Sequence, residues 1–239
     1  MTSLTRSAVV ALAVAGLSSC VSEDGNGRIV TEQRAVQAFQ KVRVEDGLRV
    51  IITQGPRSVL LTTDENLRSF FQADVRGDTL VLKKLSNFSL NPTGEVVFEI
   101  MNEVLEGLDV SGGAQVSADA TPTSRWRLTA SGGSVVTARN VATPKLDVEA
   151  SGASEVTLFG SANEAKVKGS GGSRVNTVGV TTVSVDVDAS GGSTLNVAAS
   201  SSATGNASGN SIVNVVGNPQ TRNIDATGSS TVTFTDSSL

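Results

Sequence analysis

A Ser/Thr-Gly pair recurs down the second half of the chain, at Ser111-Gly112, Ser131-Gly132, Ser151-Gly152, Ser170-Gly171, Ser190-Gly191, Ser208-Gly209 and Thr227-Gly228. By subtraction, the successive spacings are 20, 20, 19, 20, 18 and 19 residues. A repeat that short has no second layer against which to bury an apolar face, so it is stable only when stacked on its neighbours. Stacking requires the flanking positions to repeat as well. Three residues before the Ser/Thr stand Leu108, Leu128, Val148, Val167, Val187, Gly205 and Ile224; five residues after it stand Val116, Val136, Val156, Val175, Leu195, Val213 and Val232. The residue just before it is mostly small: Val110, Ala130, Ala150, Gly169, Ala189, Ala207 and Ala226.

Apolar positions two apart indicate strands, so each unit reads as strand, Ser-Gly corner, strand and return. The expected fold is all-β, a single-stranded parallel β-helix (β-solenoid) over residues 106–239 with rungs about 4.8 Å apart. Glycine at the corner supplies φ > 0 where a Cβ would clash. A second hydroxyl column, Ser134, Ser154, Ser173, Ser193, Ser211 and Ser230, is placed to satisfy backbone groups there. Outward, two residues before the corner, Glu149, Lys168 and Asp188 would stack acid, base, acid, and Glu155 would lie next to Arg174. Exposed pairs of this kind contribute about 0–1 kcal/mol each, so their expected role is to hold register.

Residues 36–105 lack the Ser-Gly punctuation. Strand-like alternation runs around Val42, Val44, Leu48, Val50 and Ile52, with further runs over 59–62, 79–83 and 96–101. Residues 64–71 read as one short helix with Asp64 as its N-cap. The expectation is an irregular β-rich start that caps the solenoid, since an uncovered end exposes strand edges and invites self-association.

At the N-terminus, Arg6 precedes the apolar run Ala8-Val9-Val10-Ala11-Leu12-Ala13-Val14-Ala15-Gly16-Leu17, which stops at Ser18-Ser19-Cys20. The run is too short to span a bilayer and suits a signal peptide over residues 1–19. Leu17-Ser18-Ser19-Cys20 resembles the bacterial lipobox, whose cysteine is acylated before cleavage on its N-terminal side. Cys20 is the chain's only cysteine, so it has no disulfide partner within the chain. Lipid attachment at Cys20 is therefore expected, with residues 20–35 as a tether. By resemblance to known envelope lipoproteins, Val21 in place of Asp at the next position implies the outer membrane of a Gram-negative bacterium.

The chain has no His and a net charge of −4, or −5 once Arg6 leaves with the signal. An acidic chain without a basic cluster is a poor partner for nucleic acid. Without His, the usual general base and the commonest transition-metal ligand are missing. Ser111, Ser131 and Ser151 are then better read as turn residues than as nucleophiles. No cofactor or metal is expected; the strongest calcium candidate is a weak surface cluster of Asp186, Asp188 and Asp225. Trp126, between Arg125 and Arg127, reads as a loop residue lying over the solenoid wall, with a sugar-stacking platform as the alternative.

The segment Val44-Glu45-Asp46-Gly47-Leu48-Arg49-Val50-Ile51-Ile52-Thr53-Gln54-Gly55, then Asp64-Glu65-Asn66-Leu67, Thr79-Leu80-Val81-Leu82 and Leu108-Asp109-Val110-Ser111-Gly112-Gly113 with its repeats, resembles the head GIN domain family of auto-transporter adhesins. The resemblance covers roughly residues 36–234. It implies a right-handed β-helix in an envelope lipoprotein, and it carries no catalytic residue. The expected function is a non-catalytic surface adhesion, binding or structural module, with the membrane reached through the lipid and a glycan or envelope protein as partner. The alternatives are a polysaccharide-cleaving β-helix enzyme and an envelope-stress or assembly factor.

Overall fold

The computed structural model describes residues 21–85 and 88–236, with Val21 as backbone only. Cys20 and residues 1–19, expected as a signal peptide, lie outside the described residues. In chain order the strands are β1 (Val21–Asp24), β2 (Ile29–Gln33), β3 (Lys41–Val44), β4 (Arg49–Gln54), β5 (Ser58–Asp64), β6 (Phe71–Arg76), β7 (Thr79–Lys84), β8 (Phe88–Asn91), β9 (Val97–Asn102) and β10 (Gly107–Val110). They continue as β11 (Gln115–Asp119), β12 (Arg125–Ala130), β13 (Val135–Ala150), β14 (Glu155–Gly169), β15 (Arg174–Ala189), β16 (Thr194–Ala198), β17 (Ser202–Ala207), β18 (Ile212–Val216), β19 (Thr221–Ala226) and β20 (Thr231–Thr235). One 3-10 helix, Glu65–Phe70, interrupts them.

Each rung of the solenoid has an inbound arm that enters the corner and an outbound arm that leaves it. The inbound ladder runs β7, β3, β10, β12, the ends of β13, β14 and β15, then β17 and β19, all parallel. The outbound ladder runs β9, β4, β11, the starts of β13, β14 and β15, then β16, β18 and β20, also parallel. Register follows the repeat: Leu128 lies on Val148, which lies on Val167, and Val136 lies on Val156, which lies on Val175. All six are buried.

The corners explain the glycine. Gly132 has φ 64°, and a Cβ there would lie 3.1 Å from the backbone nitrogen of Gly112 on the rung before. The hydroxyl column closes the same corner. Ser134 Oγ donates to the Val110 carbonyl (3.2 Å), Ser154 to Ala130 (3.2 Å), Ser173 to Ala150 (3.2 Å) and Ser193 to Gly169 (3.1 Å). Each of these serines is buried, and a hydroxyl taken out of water costs free energy unless it is bonded in this way.

The N-terminal region departs from expectation in three places. First, residues 41–54 are already a rung: Val42 and Val44 lie on Leu108 and Val110, and Val50 and Ile52 on Val116 and Ala118. Its corner is Asp46-Gly47, with Asp46 at φ 60° in the place of Gly112; aspartate is one of the few other residues that tolerates this backbone. The chain leaves the stack after β4, and β7 and β9 build one further rung beneath it. Antiparallel strands then cover that end: β5 pairs with β9 and β2, and β6 with β7. This excursion is the cap.

Second, the stretch expected as a tether is strand from its first described residue, β1 pairing with β8 and β2 with β5. Third, the 3-10 helix lies where a helix was expected, but the Asp64 side chain does not cap it. The buried Asp64 carboxylate instead accepts the Gly27 amide (2.8 Å), the Thr93 amide (2.9 Å) and the Thr93 hydroxyl (2.6 Å). Three donors on one carboxylate tie the N-terminal segment to the cap.

Candidate binding faces of the solenoid

The two arms present different outward faces. On the inbound arm the charges sit four residues before the corner as well as two before it. Asp147 pairs with Arg125 (2.5 Å) and lies 3.8 Å from Arg127, Lys166 pairs with Asp186 (3.3 Å), and Arg43 pairs with Asp109 (2.7 Å). The Arg125 hydrogen bond holds the Asp147 carboxyl below its ordinary range against a partial cost of burial. Glu149, Lys168 and Asp188 are register neighbours as expected, and so are Glu155 and Arg174. Neither set closes an ion pair among the described residues; in the rungs of Glu149, Lys168 and Asp188 the pairing falls two residues earlier, at Asp147, Lys166 and Asp186.

The outbound face is mostly neutral. Six residues after each corner stand Ser117, Thr137, Thr157, Asn176, Asn196, Asn214 and Thr233, in unbroken register. Asn214 donates to the Asn196 side-chain oxygen at 2.8 Å, linking two successive amides of this column. Toward one margin, Phe159 is 42% exposed with the Arg139 guanidinium 5.9 Å from its ring centroid. The repeat makes this column readable at a fixed offset from Ser-Gly, yet only the offset two before and four after the corner had suggested outward function.

The other expected sites resolve as follows. Ser111, Ser131 and Ser151 are turn residues, their carbonyls accepting the amides of Ala114, Ser134 and Ser154. Asp186 is engaged by Lys166, while Asp188 and Asp225 are separated by the Asn206 rung, about two strand spacings or ~10 Å. Among the described residues no three His, Cys, Asp or Glu side chains gather in a way that could hold a metal ion. Trp126 is a correction: it lies inside the solenoid, fully buried on Leu146, because Arg125 and Arg127 take the outward positions of its strand. A buried ring offers no stacking platform. At the cap, a cleft of about 360 Å³ lies between the Asp46-Gly47 corner and the Leu90–Val96 stretch, crossed by the Arg49–Glu95 ion pair (3.0 Å).

Stacked parallel rungs, a repeated Ser-Gly corner and one end closed by antiparallel strands define a β-solenoid protein with ladder faces. Residues 38–219 match the model of the family described as "Putative auto-transporter adhesin, head GIN domain", and the chain belongs to that family. No curated protein matches it. Among solved structures it is similar to a "putative adhesin" from Bacteroides fragilis, 18% identical, with a TM-score of 0.84 over 89% of this chain and 100% of that one. It is also similar to a "putative lipid binding protein" from Parabacteroides distasonis (17% identical, TM-score 0.71, 90% and 99% covered). A "putative adhesin" from Parabacteroides merdae gives 17% identity and a TM-score of 0.65, with 90% and 99% covered. At these identities the likeness is one of fold.

Proposed function

We propose that the chain is an exported lipoprotein, acylated at Cys20 and held in the cell envelope at the outer membrane, whose solenoid is a non-catalytic adhesion module. The observation that carries the reading is the contrast between its faces: one is occupied by its own ion pairs, and the other offers a flat ladder of hydroxyls and amides with Phe159 at its margin. An extended neutral ladder suits a partner that is itself extended and neutral, such as a glycan chain, because amides and hydroxyls at a regular spacing can bond to successive units. The hydroxyls of the inward corner column are engaged by backbone carbonyls, which favours a structural role for them over a nucleophilic one.

The test is a screen of glycans and envelope proteins against the purified chain, repeated with Asn196→Arg, which places a long cation on the ladder. Saturable binding weakened by Asn196→Arg at an unchanged melting temperature is the expected result. Release of oligosaccharides from the glycans would overturn the non-catalytic reading. For the anchor, Cys20→Ala should abolish metabolic labelling by palmitate; unchanged labelling would overturn it.

A further inference from the structure

The two ends of the solenoid are not alike. Antiparallel strands cover the first rung, whereas among the described residues nothing lies on the outer edges of β19 and β20. Those edges have a definite pattern. Thr221 and Thr227 donate their amides to Ser201 and Ala207, Thr231 donates to Ser211, and the Thr235 carbonyl accepts from Gly217. Backbone groups alternate sides along a strand, so Arg222, Ile224 and Ala226 on β19, and Val232 and Phe234 on β20, turn theirs to the free edge. The same residues stand in the inward columns: Ile224, Val232 and Phe234 pack on the core from one side only, and Ala226 lies on Ala207.

We propose that this last rung pairs with the last rung of a second copy, end to end about a two-fold axis, so that the protein bridges two lipid surfaces. The edges are self-complementary when the axis crosses the corner at Ser229 and β19 runs antiparallel to the partner's β20. Residues whose numbers sum to 458 then face each other. Arg222 meets the partner's Asp236, Ile224 the partner's Phe234, and Ala226 the partner's Val232. The strand positions among these, Arg222, Ile224, Ala226, Val232 and Phe234, aim their amides and carbonyls outward, which an antiparallel hydrogen-bonded pair requires. The side chains of Ile224, Ala226, Val232 and Phe234 belong to the inward columns, so the apolar interior continues across the junction, with Arg222 and Asp236 at its margin.

Two further features fit. The chain climbs one strand spacing per turn, so β20 stands proud of β19; the two-fold sets each protruding strand against the partner's recessed one. Arg222 already bonds Asp236 at 2.5 Å across the open side of its own rung and lies 5.2 Å from the Phe234 ring. Exchanging that partner for its twin in the second copy keeps every charge matched, as an isologous interface does. Because β1 begins at the residue after Cys20 and lies in the cap, the two anchors of such a pair sit at opposite ends of a doubled rod. The bridging rests on the anchorage proposed above; the pairing does not.

The experiment uses the lipidated full chain, whose acylated Cys20 leaves an introduced cysteine as the only free thiol. In detergent solution, Ser229→Cys should form an intermolecular disulfide under mild oxidation, whereas Ser200→Cys on the side of the rod should not. Val232→Pro removes an amide that no internal ladder bond uses, so it should weaken dimerisation roughly tenfold or more while the melting temperature holds. Ala226→Lys gives a second test if the proline disturbs the rung. Phosphatidylcholine vesicles carrying the chain should clump, and those carrying Val232→Pro should not. A chain that sediments as a monomer up to about 100 μM, or a dimer unaffected by both variants, would overturn the pairing. Pairing in detergent with no protein retained on vesicles would overturn the bridging and the anchor while leaving the pairing in place.

Discussion

Trp126 lies directly on Leu146 of the next rung inside the solenoid, although both of its chain neighbours are arginines. The two arginines are the reason: in a strand they take the solvent side together, and Arg125 is held there by Asp147. Trp126 is the largest fully buried side chain, and its indole nitrogen has no hydrogen-bond partner among the described residues. Trp126→Ala should therefore cost about 3–5 kcal/mol through the cavity it leaves. Trp126→Phe should cost much less, since no bond is lost. Urea titrations of the two variants check the contrast, and equal midpoints would place the ring elsewhere.

Trp126 also shows how much of the fold was legible. It stands two residues before Leu128, in phase with an apolar column already recognised, so its burial was readable from the repeat; two adjacent cations outweighed that phase. The rungs after Ser111 were readable because seven corners share one offset. The rung at 41–54 was obscured because Glu45-Asp46 replaces Ser-Gly, and because its stacking partner lies 66 residues away in sequence, as from Val44 to Val110. The tether expectation failed because β1 owes its order to a distant strand and to Asp64 rather than to its own polar residues. Of the candidate faces, the outbound ladder was present in the sequence at a fixed offset, but which columns face outward together depends on the register.

The faces themselves are open to a paired test. Val156 is fully buried between Val136 and Val175, and Glu155 beside it is exposed. Val156→Asp puts a carboxylate into a continuous apolar column, at a cost of several kcal/mol unless it takes up a proton. Glu155→Ala should cost less than about 1 kcal/mol. Thermal melts that coincide for the two would show the faces to be reversed.

Asp64 gives a pH dependence with a definite sign. Its hydrogen bond from the Thr93 hydroxyl, and then those from the Thr93 and Gly27 amides, lower its pKa below the ordinary 3.8 against the opposing effect of burial. A carboxylate with a lowered folded-state pKa stabilises the fold above its unfolded pKa, and that contribution is lost as pH falls through the folded value. The attachment of β1 and β2 to the cap should thus hold at neutral pH and loosen below the ordinary carboxylate range. Hydrogen exchange over residues 21–33 should show this loss in the native chain. Asp64→Ala should show fast exchange there at neutral pH, with the solenoid rungs unchanged; protection that persists would mean that Asp64 does not hold the segment.

The solenoid is held by contacts between neighbouring rungs, so it should respond to deletion by whole units. Removing residues 131–150 joins Ala130 to Ser151 and sets Val156 over Val116 and Val167 over Leu128. The corner survives too, because Ser154 then occupies the place of Ser134 and can donate to the Val110 carbonyl, as Ser134 does now at 3.2 Å. Trp126 exchanges Leu146 for Ala165, a smaller residue, so some stability should be lost while cooperative unfolding remains. Removing only residues 131–140 places Val141 and Ala142 where the glycine corner belongs. Ala142 takes the place of Gly132, and its Cβ would meet the backbone of Gly112, as a Cβ on Gly132 would at 3.1 Å; Ser134, which bonds the Val110 carbonyl, is deleted. That half-unit variant should aggregate or melt without a cooperative transition by circular dichroism. If it melted as sharply as the whole-unit deletion, the rung would not be the unit of stability, and the stacking energetics argued from these columns would be wrong.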